Sequence, residues 1–257
     1  MNIYVRKNAG DLGAAAAAHI ASLLRDTIKE KGSARLLLST GASQFETISH
    51  LTGEKVDWAK VEMFHLDEYV GLKESHKASF RKYLKTRFTS KVNLKAAWFV
   101  NGEGDVDANI AALTKEMAKA PIDVGVIGIG ENGHVAFNDP PADFKTKKTY
   151  IIVTLDRKCK QQQVGEGWFK TIVDVPPQAI TITPYAILKC RHIISCVPHG
   201  VKAQAVFNTL TGKVSPLVPA SILKTHHDWN LYIDIASSAK IFPMRKPAGR
   251  KNERKSK

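Results

Sequence analysis

Three clusters of polar residues carry spacings that could do chemistry, and each follows an apolar run. The first is His65-Leu66-Asp67-Glu68-Tyr69-Val70-Gly71-Leu72. Two adjacent carboxylates at a strand end cannot both point into a core, so one of Asp67 and Glu68 is expected to face a cleft. There, partial burial and a neighbouring charge would tune it as a base. A polar loop with one N-capping acid explains the same residues. The second cluster is Gly128-Ile129-Gly130-Glu131-Asn132-Gly133-His134, continuing to Asn138-Asp139-Pro140. The glycines match G-x-G-x-x-G, but a dinucleotide fingerprint opens a long helix, and Pro140 and Pro141 cut this segment short. Glycines that clear space for a ligand, with His134 projecting into it and Asp139 nearby, fit better. A His and a carboxylate make a proton-transfer pair near neutral pH.

The third cluster, Ser39-Thr40-Gly41-Ala42-Ser43, sits between a strand and a helix. Small residues there let backbone N–H groups and hydroxyls approach an anion. It is not a P-loop, since no Gly-Lys-Ser/Thr follows, and an ordinary turn with Ser43 as N-cap remains the alternative. Lys202, in His199-Gly200-Val201-Lys202, falls in the first turn of a helix, where a cation opposes the dipole unless an anion is present. An exposed surface lysine is its bland alternative.

The elements that must position these residues alternate. Strands are predicted at Asn2–Val5, Arg35–Leu38, Val61–Leu66, Ile122–Ile127, Tyr150–Leu155, Ala179–Thr183, His192–Val197 and Leu231–Ile235. Helices are predicted at Leu12–Glu30, Gln44–Leu51, Ser79–Phe88, Asp107–Lys119, Arg157–Phe169, Tyr185–Leu188 and Val201–Leu210. The pattern implies an α/β fold of Rossmann-like type, a mostly parallel sheet with helices on both faces and ligands beyond the strands' carboxyl ends. The 257 residues, 44% hydrophobic, suffice for one core. One domain over residues 1–240 is expected, with a basic, disordered tail over 241–257. No apolar run has the roughly 20 residues of a membrane helix, and no signal-peptide stretch stands at Met1–Gly10, so a cytoplasmic protein without membrane contact is expected. Cys159, Cys190 and Cys196 show no metal-type spacing and read as reduced, buried thiols.

The net charge is +14, of which Arg245–Lys257 supplies +6, leaving +8 for the rest. A +8 body suits an anionic small substrate. The tail reads as a solvated segment rather than a nucleic-acid contact.

Taken together, Asp67-Glu68-Tyr69-Val70-Gly71-Leu72 and Gly130-Glu131-Asn132-Gly133-His134-Val135-Ala136-Phe137-Asn138-Asp139-Pro140 resemble the glucosamine-6-phosphate deaminase family, over about Arg35 to Ile235. The resemblance implies ring opening and aldose–ketose isomerisation of glucosamine 6-phosphate to fructose 6-phosphate and ammonia. It implies no metal or organic cofactor and leaves a homo-oligomer open. Asp67 would be the base moving the C2 proton to C1, His134 the ring-opening group, and Asn132 its orienting partner. Asp139 stands where many members have Glu, one methylene longer. Ser39 to Ser43 and Lys202 look like the family's phosphate contacts, and Glu68 and Gly130 are expected beside the substrate. No Arg in Arg157–Phe169 matches the one some members use against phosphate, and Lys158 or Lys160 would have to substitute. The basic residues of the allosteric site in some hexameric members are not matched between Asp143 and Leu155. The resemblance extends to 6-phosphogluconolactonases, against which Tyr69-Val70-Gly71-Leu72 and Phe137-Asn138-Asp139-Pro140 argue. A non-catalytic sugar-phosphate sensor is the third reading, disfavoured because no DNA-binding module precedes the α/β pattern.

Overall fold

The computed structural model describes residues 1–241; the basic segment Arg245–Lys257 lies outside the described residues, as does all but the first residue of the expected tail. Seven strands form a parallel sheet in the order β1-β10-β9-β6-β2-β3-β5. They are β1 (Asn2–Arg6), β2 (Ala34–Leu38), β3 (Val61–His65), β5 (Ala96–Trp98), β6 (Val124–Val126), β9 (His192–Val197) and β10 (Trp229–Asp234). The central strands β2, β6 and β9 are buried along almost their whole length, as expected of a sheet covered on both faces. Leu36, Leu38, Val124 and Val126 pack on one face, against α1 (Ala9–Lys31) and α2 (Phe45–Leu51). Leu37, Ile193 and Ile233 pack on the other with residues of α4 (Val106–Ala118) and α7 (Ala203–Thr211). The Rossmann-like α/β reading therefore holds.

From β2 the chain steps one way, to β3 and then β5; β6 returns to the opposite side of β2 and leads on to β9 and β10. The order reverses between β2 and β6, which is where an open α/β sheet forms its ligand crevice.

One feature differs from the sequence reading. The segments Tyr150–Leu155 and Ala179–Thr183 do form strands, β7 (Tyr150–Thr154) and β8 (Gln178–Ile182), but outside the main sheet. They make a separate antiparallel sheet with β4 (Asp67–Tyr69), in the order β4-β8-β7. The chain leaves the parallel sheet at His65 and enters the small one at Asp67, so the acidic pair is part of a strand rather than a loop. Strand β5 was also not expected: Ala-Ala-Trp lacks the β-branched signature, and its residues are only half-buried at the sheet edge. His65, at the turning point, is fully buried with neither ring nitrogen paired among the described residues. Burial, with the charge of Arg81 added, depresses its pKa to about 3, so the imidazole is neutral.

Candidate active site

The loops after β2, β3, β6 and β9 meet over four adjacent strands. With α5 (Arg157–Gly165), they line one pocket, part of it open to solvent. Its walls include Ser39, Thr40, Gly41, Ala42, Ser43, Asp67, Gly130, His134 and Lys202. Nine of the expected residues therefore converge from four separate stretches of chain.

Asp67 and His134 are set on facing elements by the same strand. β8 pairs with β4, placing Asp67 opposite Thr181. The hydroxyl of Thr181 also accepts the backbone N–H of Phe137 at 3.0 Å. The amide of buried Asn138 donates to the carbonyls of Ile182 and Val135, both at 2.8 Å. The His134 segment is thus pinned to the strand that carries Asp67's neighbour.

The Asp67 carboxylate is 6% exposed and receives no hydrogen bond from the described residues. Burial, and then the charge of Glu68, push its pKa well above the ordinary carboxyl value. Glu68 points the other way along the strand. It is fully buried and takes hydrogen bonds from the Tyr69, Phe80 and Arg81 backbone N–H groups, the Ser79 hydroxyl and the Arg81 guanidinium. It does not reach the pocket, which corrects its expected place beside the substrate. Arg81 also donates to Asn101 and Glu103, so Glu68 anchors β4 to its surroundings. Burial raises the Glu68 pKa, and these hydrogen bonds and the Arg81 counter-charge oppose that rise.

His134 is held by its neighbours. The Asn132 side-chain oxygen accepts the His134 backbone N–H at 3.0 Å, and the Asn132 amide donates to Asp139 at 3.1 Å. Asp139 in turn lies 3.3 Å from Nδ1 of His134, at ion-pair distance without hydrogen-bond alignment. The shorter carboxylate therefore still reaches His134 directly, from behind the pocket wall. Burial works against the Asp139 charge, but the His134 imidazole, the Asn132 amide and the Cys159 thiol outweigh it, and its pKa lies below the ordinary value. The imidazole packs over Gly130: a Cβ there would fall 2.1 Å from Cε1 and 2.2 Å from Nε2. Only glycine permits that approach.

The other end of the pocket gathers donors and a cation that an anion would satisfy. Gly41, with φ +94, turns the chain so that the N–H groups of Gly41, Ala42 and Ser43 are left without backbone acceptors. The Ser39 hydroxyl is buried and unpartnered among the described residues. Lys202 is 5% exposed, and desolvation lowers its pKa, partly offset by the charges of Glu166 and Glu131. It is aimed by His199, a non-glycine at φ +78, whose N–H is held by Asp234 at 2.9 Å and whose carbonyl accepts the Lys202 N–H. A buried ammonium and a row of unpaired N–H groups are costly unless an anion meets them.

The resemblance places Arg157–Phe169 near the phosphate, but the residues of α5 that reach the pocket are not the lysines expected there. Gln162, Gln163 and Glu166 line the pocket, whereas Lys158 and Lys160 do not. Gln163 accepts the buried Tyr69 hydroxyl at 2.8 Å, tying α5 to β4. The helical spacing of Cys159 and Gln163, both buried, was the available signal. Among the described residues no group of three His, Cys, Asp or Glu is placed to hold a metal, and no helix is long and apolar enough to cross a membrane.

Comparison with known proteins adds to this geometry. Residues 7–232 match the family model of glucosamine-6-phosphate isomerases and 6-phosphogluconolactonase. The chain is 32% identical over 230 residues to a glucosamine-6-phosphate deaminase of Thermoanaerobacter sp. (strain X514), covering 86% of this chain and 89% of that one. It is also 32% identical over 225 residues to one from Staphylococcus epidermidis, covering 84% and 91%. Among solved structures, a monomeric glucosamine-6-phosphate deaminase superposes with TM-score 0.84 at 29% identity, over 93% of this chain and all of that one. The 6-phosphogluconolactonase of Trypanosoma brucei gives TM-score 0.77 at 15% identity, over 93% and 98%, a likeness of fold alone.

Proposed function

This chain belongs to the family of glucosamine-6-phosphate isomerases and 6-phosphogluconolactonases, and we propose that within it the protein is a glucosamine-6-phosphate deaminase. The observation that carries this reading is the buried, unpaired carboxylate of Asp67 facing the same pocket as His134 and the anion end. A carboxylate with a raised pKa is poised to take a proton from carbon and to give it back. It must first ionise, and an amino sugar supplies what that needs: an ammonium beside C2 brings a positive charge close to the carboxylate. A lactone brings none. The relatives at 30% identity or more named above are deaminases, whereas the lactonases share the fold at much lower identity.

The steps follow from the residues. The phosphate sits against the Ser39–Ser43 loop and Lys202, where each charged hydrogen bond contributes roughly 1.5–3 kcal/mol. That distant grip fixes the sugar ring for reaction. His134, polarised by Asp139, takes the O1 proton and returns it to O5 as the C1–O5 bond breaks. Asp67 removes the C2 proton while O1 gains one, giving an enolamine. The same carboxylate delivers the proton to C1, leaving a C=N bond at C2. Water adds at C2 and ammonia departs, so one water is consumed for each fructose 6-phosphate and ammonia formed. Asn132 keeps His134 and Asp139 in register through its two hydrogen bonds.

Parallel assays separate this reading from its nearest rival. Ammonia release from glucosamine 6-phosphate, without acid release from 6-phosphogluconolactone, is expected. Acid release alone would assign the pocket to lactone hydrolysis, and binding of both without turnover would assign it to sensing.

A further inference from the structure

The anion end of the pocket contains a charge that the reaction does not require. Glu166, at the C-terminal end of α5, lines the same pocket as Lys202 and the Ser39–Ser43 loop. Both of its oxygens are fixed: Gln162 donates to one at 2.8 Å, and the Trp168 indole donates to the other at 3.0 Å. Trp168 stands edge-on to Phe45, which stacks on Tyr83, whose hydroxyl donates to the Gly41 carbonyl at 3.0 Å. The carboxylate is therefore braced against the loop that would hold the phosphate, not free to wander into solvent. Lys202 makes no ion pair of its own; the paired lysines among the described residues are Lys31, Lys60, Lys85, Lys95 and Lys119. The anion end thus combines a buried, unneutralised ammonium with a nearby fixed carboxylate.

We propose that Glu166 sets the phosphate affinity of the pocket, holding it low by opposing the phosphate's charge beside Lys202. The inference rests on the assignment of Lys202 and the Ser39–Ser43 loop as the anion end. Without a ligand, Glu166 stabilises the buried ammonium of Lys202. When a phosphate dianion arrives, the ammonium gains a better partner and the carboxylate becomes a like charge at the edge of a partly desolvated site. The repulsion weakens net binding, while the attraction between the fixed carboxylate and the ammonium is the same with and without the anion. The pocket then takes its phosphorylated substrate loosely and lets the phosphorylated product go.

The test is calorimetric titration of the full chain with inorganic phosphate at constant ionic strength. Glu166→Gln keeps the shape and removes the charge, and its phosphate dissociation constant is expected to fall by about tenfold, the scale of removing one like charge from a partly buried site. The KM for the sugar phosphate falls with it. Glu166→Ala, which removes charge and hydrogen bonds together, tightens phosphate as well, so the effect does not depend on one variant's folding. Lys202→Ala weakens phosphate in both the parent and the Glu166→Gln background. Unchanged or weaker phosphate binding in Glu166→Gln, with the Lys202 dependence intact, overturns this proposal alone. Phosphate binding indifferent to Lys202→Ala overturns the anion-end assignment beneath it. Because phosphate binding involves no turnover, both results stand whichever reaction the pocket performs.

Discussion

Asp67→Asn is expected to lower turnover of glucosamine 6-phosphate by about 10²–10⁴-fold, the contribution of a positioned acid–base group, while sugar-phosphate binding survives. The substitution is isosteric, and the side chain has no hydrogen-bond donor among the described residues to disappoint. The same change is expected to make the protein more stable. In the folded chain Asp67 holds its proton well above the ordinary carboxyl value near 3.8, because of burial and the Glu68 charge. Above that ordinary value the unfolded chain has already released the proton, so the folded state binds more protons than the unfolded one. Stability therefore declines as pH rises toward and through the folded pKa. Asparagine has no proton to release and escapes that decline. Thermal unfolding should place Asp67→Asn above the parent at neutral pH, by about 2–4 °C for each kcal/mol recovered. The gap should close only about a pH unit or more below that ordinary value, where the parent carboxyl is protonated in both states. A variant that loses binding but keeps turnover, or one destabilised at neutral pH, contradicts the role of Asp67 as the buried base.

Gly130→Ala carries the second large effect. The backbone at residue 130 is not in the left-handed region, so alanine meets no conformational strain there. The obstacle is the imidazole: the new methyl would stand 2.1 Å from one ring atom of His134 and 2.2 Å from another. The ring has to leave its position, and its contact with Asp139 goes with it. Turnover is expected to fall by about 10²-fold or more, as for loss of a general acid–base group. If the methyl acts only by displacing the ring, Gly130→Ala added to His134→Ala costs nothing further in turnover. That non-additivity is measurable as a double-mutant cycle. Additive losses would mean that Gly130 serves the substrate directly.

Much of this site is legible in the sequence because its chemistry sits where a parallel sheet must place it. Ser39–Ser43, Asp67, His134 and Lys202 each follow an apolar strand, and the structure brings all four stretches to one rim. What could not be read is pairing between distant segments. The runs Tyr150–Leu155 and Ala179–Thr183 look like parallel strands, yet they pair antiparallel with each other and with Asp67–Tyr69. Apolar content alone does not say which sheet a strand joins. Likewise, Asp67 and Glu68 are chemically alike in the sequence. Only the alternation of a three-residue strand sends one to the pocket and the other to the Arg81 cage. The resemblance also marks Arg157–Phe169 as a segment that meets the phosphate, but only the packing of α5 shows that Gln162, Gln163 and Glu166, not Lys158 or Lys160, line the pocket.

The most direct test of the account is the fate of the hydrogen on C2. With glucosamine 6-phosphate carrying deuterium at C2, turnover is expected to be slower than with the ordinary substrate, with ammonia released and part of the label moved to C1 of fructose 6-phosphate. Ammonia release with no slowing by the deuterium and none of the label at C1 would contradict the account, because Asp67 would then not be the group that carries the C2 proton to C1.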